Sequence, residues 1–144
     1  MRHSLPWFRF RDSRGDEWTT ALATSAMLYE LMGEECAGLT HYQWRVVMVD
    51  AGLTRDQQDE VLLHEMCHVA AGEKPDGLPV AQEEKAVYAI SPRLWPLLKM
   101  LGFAWPKRPR GVRALEKLAR AYHEDALRCL VWERTNERLR VDRR

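Results

Sequence analysis

The sequence predicts a small α+β domain, and three observations carry that expectation. Its length and apolar content suit one core, its first fifty residues hold two short β-rich runs, and amphipathic helical stretches follow. The chain has 144 residues, 46% of them hydrophobic, which is enough for one proper core and too little for two catalytic domains.

The elements are expected in the following order. Leu5 to Arg11 alternates from Phe8 onward and stops at Asp12-Ser13-Arg14-Gly15, the pattern of a strand and a turn. From Asp16 to Gly33 the residues Trp18, Ala21, Leu22, Ser25, Tyr29 and Met32 recur at three- and four-residue steps, which predicts a helix stopped by Gly33. Gln43 to Asp50 is rich in β-branched and aromatic residues and reads as a buried strand. Thr54 followed by Gln57 is a capping-box signature, and the helix it starts runs to Ala71 before Gly72. Gly72 to Pro79 reads as a loop and Val80 to Ile90 as another helix. Ser91 and Pro92 read as the cap and first position of a further short helix that Pro96 limits and Gly102 ends.

Trp105 to Gly111 is a basic, proline-interrupted connector in which Trp105 is expected to mark a lid or an interface. Beyond it Val112, Leu115, Ala119, Tyr122, Ala126, Cys129 and Leu130 mark one face of a long helix expected to pack back on the domain. The arginine-rich end, Arg138 to Arg144, reads as frayed. Residues 1–105 thus form the expected core unit, and residues 106–144 a connector and terminal helix of the same domain.

Charge and cysteine usage narrow the function classes. Residues 1–105 carry 10 Lys/Arg against 15 Asp/Glu, whereas residues 106–144 carry 12 against 6, so the last part is basic and suits an acidic partner. Cys36, Cys67 and Cys129 are odd in number and form no C-x-x-C pair, which speaks against a disulfide framework or a cysteine zinc knuckle. That fits a reducing compartment. Met1 to Arg14 is broken by Pro6 and five charges, and no window reaches a membrane-spanning run, so a cytoplasmic placement is expected.

The chemistry is concentrated at His64-Glu65-Met66-Cys67-His68, an H-E-x-x-H pattern. Residues four apart on a helix stand about 6 Å apart along its axis on one face, so two imidazoles can reach one tetrahedral zinc ion. Glu65, beside His64 on the rotation, can serve as general base toward a water without being a ligand. Val61-Leu62-Leu63 and Val69-Ala70-Ala71 flank the pattern, as suits a helix at the floor of a cleft more than a solvated face. Cys67 points to another side and reads as a core residue.

A third ligand is required, and Glu83, Glu84, His41 and His123 are the candidates. A helix over Val80 to Ile90 places Glu83 with Ala86, Val87 and Ile90 on one side, and that side is expected to face inward. Glu83 is therefore the expected ligand and Glu84 its alternative. Tyr42, Tyr88, Tyr122 and His123 are candidate donors to a transition state, and each suits an ordinary core-edge position equally well.

Residues 42–90 resemble the zincin metallopeptidases, in particular the ImmA/IrrE-like proteins, through Val61 to His68 and Glu83-Glu84-Lys85-Ala86. In those proteins a glutamate followed three residues later by alanine supplies the third ligand, which matches Glu83 and Ala86. The Leu-His-Glu-Met-x-His run also resembles SprT-like proteins, but the third histidine typical of that branch is missing, since no histidine follows His68 before His123. Ala71 stands where metzincins carry glycine. The resemblance implies a small twisted sheet beside the metal helix, further C-terminal helices, and an extended substrate along a sheet edge. It also implies cleavage of a regulatory protein.

Two function classes follow as expectations. The first is a zinc-dependent peptidase acting on a protein or peptide, with Zn2+ held by His64, His68 and Glu83 and with Glu65 as the base. The second is a non-catalytic binding module of zincin fold that contacts nucleic acid through its basic C-terminal segment.

Overall fold

The computed structural model describes residues 3–72 and 81–121. They form a small mixed α/β domain in which a four-stranded mixed sheet is covered by helices. Strand β1 (Ser4–Arg11) pairs antiparallel with β2 (Glu17–Ala23) across the expected turn. Asp12 organises that turn: its carboxylate accepts from the backbone N–H of Arg14 and Asp16 and from the Trp18 indole at 2.9 Å. The Trp18 hydrogen bond, more than any other contact, holds the Asp12 carboxyl below its ordinary range.

Strand β2 occupies much of the stretch for which a helix over residues 16–33 was expected, and only Ser25–Met32 is helical (α1). The physical reason is the position of β2 at the centre of the sheet, buried over most of its length, where strict alternation is lost. Trp18, Thr19 and Thr20 favour that pleated surface. Thr24 then caps α1 by accepting from the Met27 N–H, and Gly33, at φ 75°, ends it.

Strand β3 (Gly38–His41) and β4 (Val46–Asp50) form an antiparallel pair, and β4 runs parallel to β2, giving the order β1-β2-β4-β3 with β3 at an edge. The expected strand over residues 43–50 is shorter, because residues 42–45 make the turn between β3 and β4. Helix α2 (Arg55–Ala71) packs on β3 and β4 and begins with both hydrogen bonds of the Thr54–Gln57 capping box. Such a cap stabilises a helix start by about 1 kcal/mol. Trp18, Leu22, Tyr42, Val47, Val49 and Leu62 form the main core, joined by Val112, Leu115 and Ala119 of the helical residues 112–121.

Helix α3 (Ala81–Met100) is one continuous helix, not two: it runs through Pro92 and Pro96. Each proline withholds an N–H from the carbonyl four residues back, at Tyr88 and at Pro92. Helix α3 packs against α2 along this stretch. Ser91 is not a cap here; its hydroxyl donates to the Val87 carbonyl at 2.8 Å. The buried stripe of α3 is Val87, Ser91 and Trp95, while Ala86 is exposed and Ile90 is 55% exposed. The inward face is thus rotated away from the one expected for Ala86 and Ile90.

Trp105, expected to mark a lid or an interface, is packed into an aromatic cluster. It stacks on Phe8 and Trp95, and its indole donates to the Asp59 carbonyl at 3.0 Å. Arg108 pins the connector by bonding Gln58, Asp59 and the Arg55 carbonyl while lying over the Trp7 ring. Tyr122, His123, Cys129 and the terminal arginines lie outside the described residues. No helix among the described residues is long and apolar enough to cross a membrane.

Candidate metal centre

The capped helix α2 presents His64 and His68 one turn apart on the side facing α3. His68 is fully buried and His64 largely so. Their Nε2 atoms stand 3.3 Å apart. Opposite them, the Glu84 carboxylate places Oε1 2.9 Å from His68 Nε2 and Oε2 3.6 Å from His64 Nε2. One ligand atom from each of His64, His68 and Glu84 falls within 4.8 Å of the others, the one such group among the described residues.

Glu83 takes a different place from the one expected of it. Its Oε2 lies 2.7 Å from His68 Nδ1, on the far side of that ring from Glu84. The cause is the rotation of α3: with Val87, Ser91 and Trp95 turned inward, the two neighbouring glutamates straddle His68. A carboxylate stands at each ring nitrogen of His68, Glu83 at Nδ1 and Glu84 at Nε2, and the tautomer with its hydrogen on Nδ1, donated to Glu83, is the one that leaves Nε2 a lone pair for a cation. The Tyr42 phenol, buried near the same glutamate, donates to the His68 carbonyl at 2.9 Å and so fixes the last turn of α2. Burial, and then the Glu83 charge, push the Tyr42 phenol upward.

Glu65 joins the cleft without joining the donor set. The Thr40 hydroxyl of β3 donates to its Oε2 at 2.5 Å. Burial raises the Glu65 carboxyl to about 7, opposed by the Thr40 hydrogen bond and by His68. Gly38 makes room for it, since a Cβ there would stand 2.7 Å from Val61 Cγ1 and 3.0 Å from Glu65 Oε1. His64 is pushed below its ordinary value by burial first and by His68 next.

The cleft above these groups measures about 570 Å³, and its lining includes Glu34, Glu35, Glu60, Glu84 and Tyr88. No lysine or arginine lines it among the described residues. The Tyr88 ring leans on His64 with centroids 4.5 Å apart and is 66% exposed, so of the candidate donors among the described residues it is the one that lines the cleft. Tyr42 is committed to holding α2. His41 stacks on Trp44 at the end of β3 and stands outside the donor group.

Thr40, Gly38 and Ser91 are the site residues that the sequence did not announce. Thr40 and Glu65 are 25 positions apart, and Gly38 carries no local signal in a four-residue strand. Ser91 carried a signal, Ser before Pro, that pointed to a different role.

The chain matches no family model, no curated protein sequence and no solved structure.

Proposed function

We propose that this chain is a zinc-dependent peptidase of zincin type, with His64, His68 and Glu84 as the metal-holding residues and Glu65 as the proton acceptor. The observation that carries the reading is the convergence of two imidazole Nε2 atoms and one carboxylate on a single point. Three acceptors so close repel one another unless a cation or shared protons lie among them, and two nitrogens with one oxygen are a donor set that suits zinc. Glu83 on the outer nitrogen of His68 supports the same reading, because metal-binding histidines regularly donate their other N–H to a carboxylate.

Zinc, when bound, supplies the positive charge that makes a water acidic near neutral pH and polarises a carbonyl. The rest is done by the chain. Thr40 occupies Oε2 of Glu65, leaving Oε1 to take a proton and later return it to the departing amine. Tyr88, still protonated at neutral pH, is placed to donate to the oxygen on which charge develops. Strand β3, the edge of the sheet among the described residues, adjoins Glu65 through Thr40 and Gly38, which suits an extended peptide added to the sheet. The acidic lining favours a peptide with basic side chains near the scissile bond. A cytoplasmic regulatory protein is the substrate that the zincin resemblance suggests.

The deciding experiment is metal analysis of the purified chain together with hydrolysis of a quenched peptide library before and after chelation. One zinc per chain and activity lost with the metal are expected; a chain that binds no zinc overturns the reading. A second reading, a polyanion-binding module, draws on a groove lined by Arg55, Arg113, Lys117 and Arg120 together with Glu116, which pairs with Arg55 at 3.3 Å. Nucleic-acid affinity that falls steeply with salt, in a chain without hydrolytic activity, would favour it.

A further inference from the structure

We propose that Ser91 is the positioning residue of His64, fixing its ring with the hydrogen on Nδ1 so that Nε2 is held open toward the metal. The inference rests on the metal reading above and concerns a residue that does not touch the reacting atoms.

The chemistry follows from counting protons. A serine hydroxyl has one hydrogen and two lone pairs. Ser91 spends its hydrogen on the Val87 carbonyl at 2.8 Å, so toward His64 Nδ1, 3.4 Å away, its oxygen can only accept. The tautomer with the hydrogen on Nδ1 turns that contact into a hydrogen bond, and in the neutral ring it leaves Nε2 with a lone pair. That atom faces Glu84 Oε2 and His68 Nε2. Ser91 is 2% exposed, so no bulk water competes for the contact.

The pairing mirrors the one at His68, with a difference of strength. Glu83 gives His68 a charged acceptor at 2.7 Å, and Ser91 gives His64 a neutral one at a longer distance. Both acceptors, and Glu84 itself, come from α3, so a single helix supplies one donor and orients the other two. Pro92 follows Ser91 directly and has φ fixed by its ring, which stiffens the backbone at the point where the hydroxyl must be held.

The test uses the full chain as wild type, Ser91→Ala and Ser91→Thr. Zinc affinity is measured by competition with a chromophoric chelator, alongside circular dichroism of the chelated proteins and the visible spectrum of the cobalt(II) form. Ser91→Ala is expected to lose about tenfold or more in zinc affinity and to alter the cobalt spectrum, as for other removed outer-sphere partners. Ser91→Thr keeps a hydroxyl able to bond the carbonyl one turn back, so it should stay within about threefold of wild type. A Ser91→Ala affinity within about threefold of wild type overturns the proposal, and so does an equal loss in both variants.

If Ser91→Ala does not fold, nitrogen-15 spectra of the zinc-loaded wild type decide. A protonated Nδ1 on His64 is the expected result, and coordination through Nδ1 overturns the proposal. Wild type that binds no zinc fails the metal reading itself, whereas wild type that binds zinc and ignores Ser91 fails only this inference.

Discussion

His68 Nδ1 lies 2.7 Å from Glu83 Oε2 while His68 Nε2 lies 2.9 Å from Glu84 Oε1, so two consecutive glutamates grip opposite edges of one imidazole. That division assigns them different chemistry and makes their variants separable.

Glu84→Ala should cost more zinc affinity than Glu83→Ala. Removing an outer carboxylate typically costs about 10–100-fold, and removing a direct donor should exceed it. Competition titration of both variants checks the order. If Glu83→Ala proves the more damaging, the metal is held by the glutamate that the sequence pattern first suggested.

Glu65→Gln should keep the zinc and lose hydrolysis by about 10²-fold or more, because it removes the proton acceptor and none of the donors. Metal content and turnover are read on the same preparation. Loss of the metal in this variant would mean that Glu65 is a ligand.

Tyr88→Phe should retain zinc and substrate affinity while kcat falls by about 10²-fold, the usual cost of losing one donor to a developing oxyanion. A change confined to KM would instead make Tyr88 a wall of the cleft.

Neutralising the acidic lining with Glu34→Gln, Glu35→Gln and Glu60→Gln together should reduce any preference for lysine- or arginine-containing peptides. Exposed charge pairs are each worth a few tenths to 1 kcal/mol, so about threefold or more in kcat/KM is expected at low salt. Added salt should erase the same preference in the parent chain. A library profile unchanged by the triple variant would remove electrostatics from the account of specificity.

Much of α2 was legible because its signals are local. Thr54 and Gln57 cap one another three residues apart, and His64 and His68 share a face through helix geometry alone. The choice between Glu83 and Glu84 was not local. It depended on how α3 rotates against α2, and that rotation is set by burying Val87, Ser91 and Trp95, where Ala86 and Ile90 offered an equally periodic alternative. Strand β2 hid for a related reason: Trp18, Ala21, Leu22 and Ser25 satisfy a helical spacing, and only their central place in the sheet decides between the two. Thr40 became a site residue through a contact spanning 25 positions, which no short window of sequence contains.

Helix α3 ends near the aromatic stack, and this gives the molecule an optical consequence. Trp95 sits one turn beyond Ser91, 3% exposed, with its ring 6.5 Å from and nearly parallel to that of Trp105. The same helix that presents Glu83, Glu84 and Ser91 therefore carries a chromophore at its other end, in a stack fastened to Asp56 and Asp59 of α2. A tilt of α3 that carried Trp95 along as the donors closed around an ion would slide one indole past the other. Intrinsic emission should then change in wavelength or yield as metal is titrated, giving a label-free record of loading. A Trp95→Phe variant should lose that signal while still taking up the ion.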